Sequence, residues 1–209
     1  SGESITTGID NIILGNNAGN NITTGNRNIV IGKEAGRDAA FDTEGDYVMI
    51  GYRAGADSFP NYSYGGVYIG REAGSGANAV NQVFIGRQAG DGSVSSNTVG
   101  IGDGVLGGNG SGQQNVAVGS QAMGSFAIAM AGNTAVGYKS LGRGSNYSWT
   151  YYNTAIGSLA GDNILRAQYN TLVGYDAASN LSGNANSTTY SATQLAGSEN
   201  VVIGAKAGD

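Results

Sequence analysis

Hydrophobic residues recur along the chain in short runs that each end at a glycine. A run consists of a β-branched residue, an uncharged residue and an aliphatic residue, followed by the glycine, two variable residues and Ala-Gly or a similar pair. The run occurs eleven times, with successive glycines 16 to 20 residues apart except for a last interval of 30. Internal repetition of this kind predicts a repeat architecture. These anchor glycines are Gly15, Gly32, Gly51, Gly70, Gly86, Gly102, Gly119, Gly137, Gly157, Gly174 and Gly204.

Each run predicts a short β-strand. The first and third residues point to the same face of a strand, and we expect these flanking residues to fill the interior of each coil. The central residue points the other way and is never charged, so we expect burial on both faces and a second layer outside the coil. The central residues are Ile13, Val30, Met49, Tyr68, Phe84, Gly100, Ala117, Ala135, Ala155, Leu172 and Val202.

The residues around each strand also carry predictions. We expect the anchor glycine to adopt a positive φ at a corner or to allow close approach of two backbones. The small residue three positions later, usually alanine, predicts a tight inner corner. Asn precedes the strand in seven of the eleven repeats. Stacked Asn side chains can join successive coils by hydrogen bonds, and they suit turn geometry.

Together these features predict an all-β protein, a β-solenoid or parallel β-roll of about eleven coils of 16–20 residues, in one domain spanning residues 1–209. Coils about 4.8 Å apart would make a rod roughly 50 Å long. The uneven spacing places loop excursions near 56–66, 142–152 and 178–199. The outward apolar stripe is typical of an interface, so we expect a homo-oligomer whose apolar faces meet at a common axis.

Composition and charge exclude several functions. The chain has 38 glycines, no cysteine and no histidine. It therefore lacks thiolate ligands and the commonest general base and metal ligand, and we predict no cofactor and no metal. A net charge of −5 argues against nucleic acid. No apolar run approaches the ~20 residues that cross a bilayer, so we expect no membrane insertion. The repeats begin and stop in mid-pattern, and we expect the chain to be a segment of a longer protein.

The repeats resemble two known families. Asn-Thr-Ala-Ile-Gly at 153–157 and Asn-Thr-Ala-Val-Gly at 133–137 resemble the head repeats of trimeric autotransporter adhesins, which are trimeric parallel β-rolls that bind host surfaces. Ile-Gly-Arg-Gln-Ala-Gly at 85–90 is still more similar to bacteriophage tail-fibre repeats. The resemblance implies a homotrimeric, non-enzymatic segment of a phage tail fibre, located in the virion. The alternative is the head of a bacterial adhesin, located at the cell surface.

Candidate binding residues lie in the loop excursions, because loops on a rigid scaffold commonly carry binding residues. Aromatic residues beside Asn, Ser and Gly favour a contact surface for a host cell-surface glycan or an outer-membrane receptor. The alternative is that these aromatic residues pack their own loops onto the roll. The candidates are Tyr147, Trp149, Tyr151 and Tyr152 in one excursion and Phe59, Tyr62 and Tyr64 in another.

Glycan cleavage is an alternative function, because the acidic stretch Asp38, Asp42, Glu44 and Asp46 could supply a pair of carboxylates. This would make the chain a glycan-degrading tailspike. A solvated acidic loop explains the same residues, and we predict no catalytic residue and no enzyme activity.

Ice binding is a further alternative, and it requires an outward row of threonines. The repeated threonines are Thr134, Thr154 and Thr171. They occupy a flanking position that is expected to point inward, which argues against ice binding.

Overall fold

The chain forms an all-β solenoid built on a parallel sheet, which confirms this part of the predicted fold. The computed structural model describes residues 1–38, 45–57, 65–93, 95–108, 112–124, 130–142, 150–164, 167–179 and 199–208. In these ranges every regular element is a β-strand. The strands are β1 (Ile12–Leu14), β2 (Ile29–Ile31), β3 (Tyr47–Ile50), β4 (Gly66–Ile69), β5 (Gln82–Ile85), β6 (Thr98–Ile101), β7 (Val116–Val118), β8 (Met130–Ala131), β9 (Thr134–Val136), β10 (Thr150–Tyr151), β11 (Thr154–Ile156), β12 (Thr171–Val173) and β13 (Val201–Ile203).

Eleven of these strands form one parallel sheet in chain order. Equivalent positions of successive repeats pair with each other, so Val67 lies between Val48 and Val83. The remaining strands, β8 and β10, pair in parallel as a second small sheet. Isolated bridges such as Gln113 to Ala131 extend that second side of the coil. The in-register stacking therefore arranges each repeat position into a column that runs along the solenoid.

The predicted direction of the strand side chains was wrong. Central residues such as Val30 and Phe84 are fully buried, whereas the flanking residue Ile156 is 43% exposed. The central column therefore faces the core, and both flanking columns face outward. The alternation could not reveal this, because no position of these strands is charged and nearly all are apolar, so the sequence offers no clearly polar side to mark the solvent.

The core is filled by side chains of complementary size. In the repeats with an aromatic central residue, glycine stands four positions after the anchor: a Cβ on Gly74 would lie 2.5 Å from the Tyr68 ring, and a Cβ on Gly90 would overlap the Phe84 ring. Where the central residue is Gly100, the same later position holds Leu106, and a Cβ on Gly100 would lie 2.9 Å from the Leu106 side chain. Each pair therefore shares a fixed interior volume, as close packing requires.

The predicted asparagine ladder is present in the core. The backbone N–H and the side-chain amide of Asn153 both donate to Oδ1 of Asn133, at 2.9 and 3.1 Å. The same amide nitrogen donates to the carbonyl of Ala167 at 3.0 Å, which joins the two sides of the coil. Asn170 repeats the pattern on Asn153, and Asn200 repeats it on Asn170. Each buried amide therefore satisfies groups in its own coil and in its neighbours.

The anchor glycines meet both conditions that their position predicted. Gly51 has a φ of 136°, and a Cβ there would lie 2.5 Å from the carbonyl oxygen of Gly70. Any side chain would strike the next coil. The small residue three positions later is fully buried in most repeats, for example at Ala54 and Ala122. The tight inner corner is therefore confirmed.

Candidate interaction surface

The outward side of the large sheet carries two parallel columns of uncharged residues, which together form the outer face. Ile, Val or Leu occupies all but three of its positions, and the three others are threonine. One column is Ile12, Ile29, Val48, Val67, Val83, Val99, Val116, Thr134, Thr154, Thr171 and Val201. The other is Leu14, Ile31, Ile50, Ile69, Ile85, Ile101, Val118, Val136, Ile156, Val173 and Ile203. All of them are half-buried or exposed.

The repeated threonines lie on this outer face. Thr134 pairs with Thr154, and Thr154 pairs with Thr171, so the three stand in one row. The sequence-based reason for setting aside ice binding is therefore wrong. The composition of the face still argues against it, because the adjacent column has no threonine and the other eight positions of this column are Ile or Val.

Two columns of mostly polar or aromatic residues border the outer face. The leading edge is the residue two positions before the first outer column: Asp10, Arg27, Asp46, Gly65, Asn81, Asn97, Gln114, Gly132, Tyr152, Tyr169 and Glu199. The trailing edge is the residue directly after each anchor glycine: Asn16, Lys33, Tyr52, Arg71, Arg87, Asp103, Ser120, Tyr138, Ser158, Tyr175 and Ala205. Every residue of the leading edge has a positive φ, which marks the corner where the chain turns onto the sheet.

Ion pairs join neighbouring repeats along both edges in the N-terminal half. On the leading edge, Arg27 donates to the two carboxylate oxygens of Asp46 at 2.6 and 2.9 Å. These hydrogen bonds lower the pKa of Asp46 below its usual value. On the trailing edge, Arg87 lies 2.8 Å from Asp103. Such exposed pairs contribute little stability individually, but they keep the borders of the apolar face charged.

A denser cluster lies just beyond the trailing edge. The carboxylate of Asp57 accepts hydrogen bonds from Arg37 at 2.9 Å and from Arg53 at 2.7 Å. Burial alone would raise the pKa of Asp57, but the two guanidinium groups outweigh it, and the pKa is lowered. Arg37 also bonds Glu34 at 3.1 Å. The cluster is an ion-pair network in which each charge is compensated, and it resembles no catalytic arrangement.

The predicted aromatic site is described only in part. The ring of Tyr151 lies 6.3 Å from that of Tyr152, and Tyr152 stacks on Tyr169 at 5.2 Å with an interplanar angle of 11°. Tyr152 is 54% exposed and Tyr169 is 56% exposed. The other candidates, Tyr147, Trp149, Phe59, Tyr62 and Tyr64, lie outside the described residues.

Sequence reasoning missed four exposed tyrosines that belong to repeat positions: Tyr52, Tyr138, Tyr169 and Tyr175. Binding residues were expected only in the loop excursions, whereas these tyrosines stand on the two edges of the outer face. Their signal was available in the alignment of the repeats, because Tyr152 and Tyr169 share one column and Tyr138 and Tyr175 share another.

The acidic stretch offers no carboxylate pair among the described residues. Asp38 accepts a hydrogen bond from Asn21 at 3.0 Å and pairs with Arg37, while Asp46 is held by Arg27. Asp42 and Glu44 lie outside the described residues. No group of three or more Asp and Glu residues in the described ranges could hold a metal ion.

Comparison with known proteins adds no assignment. No protein-family model, curated protein or solved structure matches the chain. The described residues also contain no helix that is long and apolar enough to span a membrane. The outer face and its edges are therefore the features that bear on the function of this β-solenoid.

Proposed function

We propose that the chain is a rigid, homotrimeric segment of a phage tail fibre, with one coil for each of the eleven strands of the large sheet. The observation that supports this proposal is the outer face. At about 4.8 Å per strand and 3.3 Å per residue, the face and its two edges cover roughly 1,000 Å². The apolar columns alone, three residues wide, cover roughly 500 Å², which is near the upper limit of about 600 Å² for the apolar patches of monomers. The face together with its edges reaches the area of about 800 Å² per partner that a stable interface buries.

A second copy of the chain is the partner that fits this surface best. The face is uncharged along its whole length and keeps charged residues at its borders, as the core and rim of an interface do. Rotation about an axis parallel to the solenoid brings identical columns together. The resemblance of the repeats to fibre and adhesin heads favours three copies. The same surface fits the alternative, the head of a bacterial surface adhesin, whereas the ion-paired acidic residues do not support a glycan-degrading tailspike.

Light scattering tests the assembly. We expect the purified chain to have three times the 21.0 kDa mass of a single chain. A value of twice that mass would replace the trimer by a dimer on the same face. A stable monomer at micromolar concentration would overturn the proposal, because the outer face would then be exposed to water without a partner.

The proposed contact with a host is a surface glycan bound at the excursion 142–152. Tyr151 lies at the described end of this segment, and aromatic rings surrounded by amides and hydroxyls suit the stacking of sugars. Three copies in one fibre would strengthen a weak single site by avidity.

Replacement of the tryptophan in this segment tests the contact. We expect Trp149→Ala to leave the mass and the melting temperature unchanged but to weaken attachment to host cells or to their purified polysaccharide. Trp149→Phe, which keeps an aromatic ring, serves as the matched control and should retain most attachment. Unchanged attachment of Trp149→Ala would remove this segment as the contact site. A large loss of stability would instead identify Trp149 as a packing residue.

A further inference from the structure

Exposed tyrosines stand on both edges of the outer face over the same repeats. Tyr152 and Tyr169 are on the leading edge, with 54% and 56% of their surface exposed. Tyr138 and Tyr175 are on the trailing edge, with 47% and 52% exposed. In the N-terminal half the leading edge holds only charged residues, asparagine and glycine. Only the stretch of repeats from β9 to β12 therefore has tyrosines on both edges, whereas Tyr52 in the repeat of β3 stands on the trailing edge alone.

The leading-edge rings are ordered against the solenoid. Tyr152 stacks on Tyr169, and it also covers Gly132, where a Cβ would lie 2.6 Å from the Tyr152 ring. Glycine at that position leaves room for the ring to lie along the edge. Together with Tyr138 and Tyr175, the two leading-edge rings make four half-exposed rings beside an apolar face, and tyrosine is enriched in protein interfaces.

We infer that Tyr152 and Tyr169 of one chain pack against Tyr138 and Tyr175 of a neighbouring copy, along the seam where two outer faces meet. This inference rests on the proposed homo-oligomer. Around a rotation axis parallel to the solenoid, the leading edge of one copy adjoins the trailing edge of the next, and equal repeats lie at similar heights. The two tyrosine pairs occupy the same stretch of repeats and therefore meet.

An antiparallel arrangement would not bring these rings together. When the eleven repeats of two copies are aligned in opposite directions, the repeats of Tyr152 and Tyr169 lie opposite those of Asp46 and Arg27, which are already paired with each other. Aromatic rings would then face an ion pair and would cover it from water, which costs free energy. The tyrosines thus select the parallel orientation.

Photo-oxidative tyrosine cross-linking tests the seam. A ruthenium photosensitiser and persulfate remove one electron and one proton from each of two neighbouring phenols, whose ring carbons then join, while persulfate is reduced to sulfate. We expect covalent dimers and trimers on a denaturing gel. Their peptides should join Tyr152 or Tyr169 to Tyr138 or Tyr175. Tyr52 is the internal control, since it is 39% exposed on the trailing edge and the described leading-edge residues of its own and the adjacent repeats are Arg27, Asp46 and Gly65.

Phenylalanine variants separate this inference from the proposed function. Tyr152→Phe with Tyr169→Phe should leave the mass by light scattering unchanged and lower the yield of covalent dimer at least fivefold, while Tyr52→Phe leaves the yield unchanged. An intact oligomer without peptides that join the two edges would overturn the seam and leave the oligomer standing. A monomeric mass would overturn both.

Discussion

The repeats of β3 to β5 and those of β9, β11 and β12 share one backbone, but among the described residues only the first region buries aromatic side chains in the core. In the first region Tyr68 and Phe84 are buried in the core and stack at 5.9 Å. In the second region the core column holds Ala135 and Ala155, and the tyrosines stand outside on the edges. One coil geometry therefore accommodates a large interior side chain or a small one, provided that the rest of the repeat compensates.

In the second region, buried amide hydrogen bonds compensate for the smaller side chains of the core. The asparagine ladder runs without interruption from Asn115 to Asn200. In the first region it is interrupted, and Gln82 takes part in a different arrangement: it accepts from the Tyr68 hydroxyl at 2.6 Å and donates to the Ser95 carbonyl at 2.8 Å. Apolar burial and amide hydrogen bonding thus substitute for each other at equivalent positions along one solenoid.

The largest effect is expected from a charge placed in the alanine core. Ala155→Asp buries an unpaired carboxylate, which costs several kcal/mol, and we expect the variant not to fold, as seen by loss of the β-sheet circular dichroism signal. Ile156→Asp is the matched control one residue away. Its side chain lies on the outer face, so the chain should fold and lose its oligomeric mass. Loss of folding in both variants alike would contradict the side-chain directions described above.

The next largest effect is expected in the aromatic core. Phe84→Ala removes a fully buried ring, and we expect unfolding to become easier by about 3–5 kcal/mol in denaturant titrations.

A second substitution in the same repeat should recover part of that loss. Adding Gly90→Leu to Phe84→Ala reproduces the pairing of Gly100 with Leu106, where leucine already tolerates a φ of 52°. We expect the double variant to regain about half of the lost free energy of unfolding. The backbone strain of leucine at a positive φ, about 1 kcal/mol, is one reason why the recovery is not complete. No recovery would show that the two positions do not share one volume.

A somewhat smaller effect is expected from the ladder. Asn153→Ala leaves the N–H groups of Asn170 and the carbonyl of Ala167 without their partner, and we expect a loss of about 2–3 kcal/mol in the same titrations. Asn11→Ala, at a half-buried position in the first repeat, should cost less than half as much. Equal losses would indicate that the ladder is not the main support of the alanine core.

The sequence predicted the framework of the fold well. The eleven repeats, the strand in each of them, the anchor glycines, the small corner residue and the asparagine ladder are all properties of backbone geometry. Each of these requires a particular residue type: no other residue fits beside Gly70 where Gly51 stands, and a buried amide such as Asn153 needs both a donor and an acceptor. Requirements of this kind leave a visible mark in a single sequence.

The direction of the side chains could not be predicted from the same reasoning, because an apolar outer face removes the polar alternation on which it depends. A second signal was present. The outer columns are nearly uniform in size, as a flat surface requires, whereas the core column ranges from Gly100 to Tyr68 because each coil has its own volume to fill. The tyrosines on the two edges were not predicted as binding residues, because binding residues were expected in the loop excursions and not at repeat positions.

The smallest effect is expected from pH. The pKa values of Asp46 and Asp57 are lowered in the folded chain, so their ion pairs stabilise it above the ordinary carboxylate pKa. This contribution is lost as the pH falls below about 4. For the half-exposed Asp57 pairs we expect less than about 1 kcal/mol. At pH 3, residues 45–57 should therefore lose more of their protection against hydrogen exchange than residues 150–164 do. Asp57→Asn should reduce this difference.

The asparagine ladder also gives the solenoid an electrical direction. In every step the side-chain carbonyl oxygen accepts from the following repeat, as Asn133 does from Asn153 and Asn153 does from Asn170, so the amide dipoles all point the same way. Aligned dipoles in a medium of low dielectric polarise one another, and each hydrogen bond in such a chain strengthens its neighbours. A break in the middle divides one long polarised chain into two short ones, whereas a break near an end removes a single link.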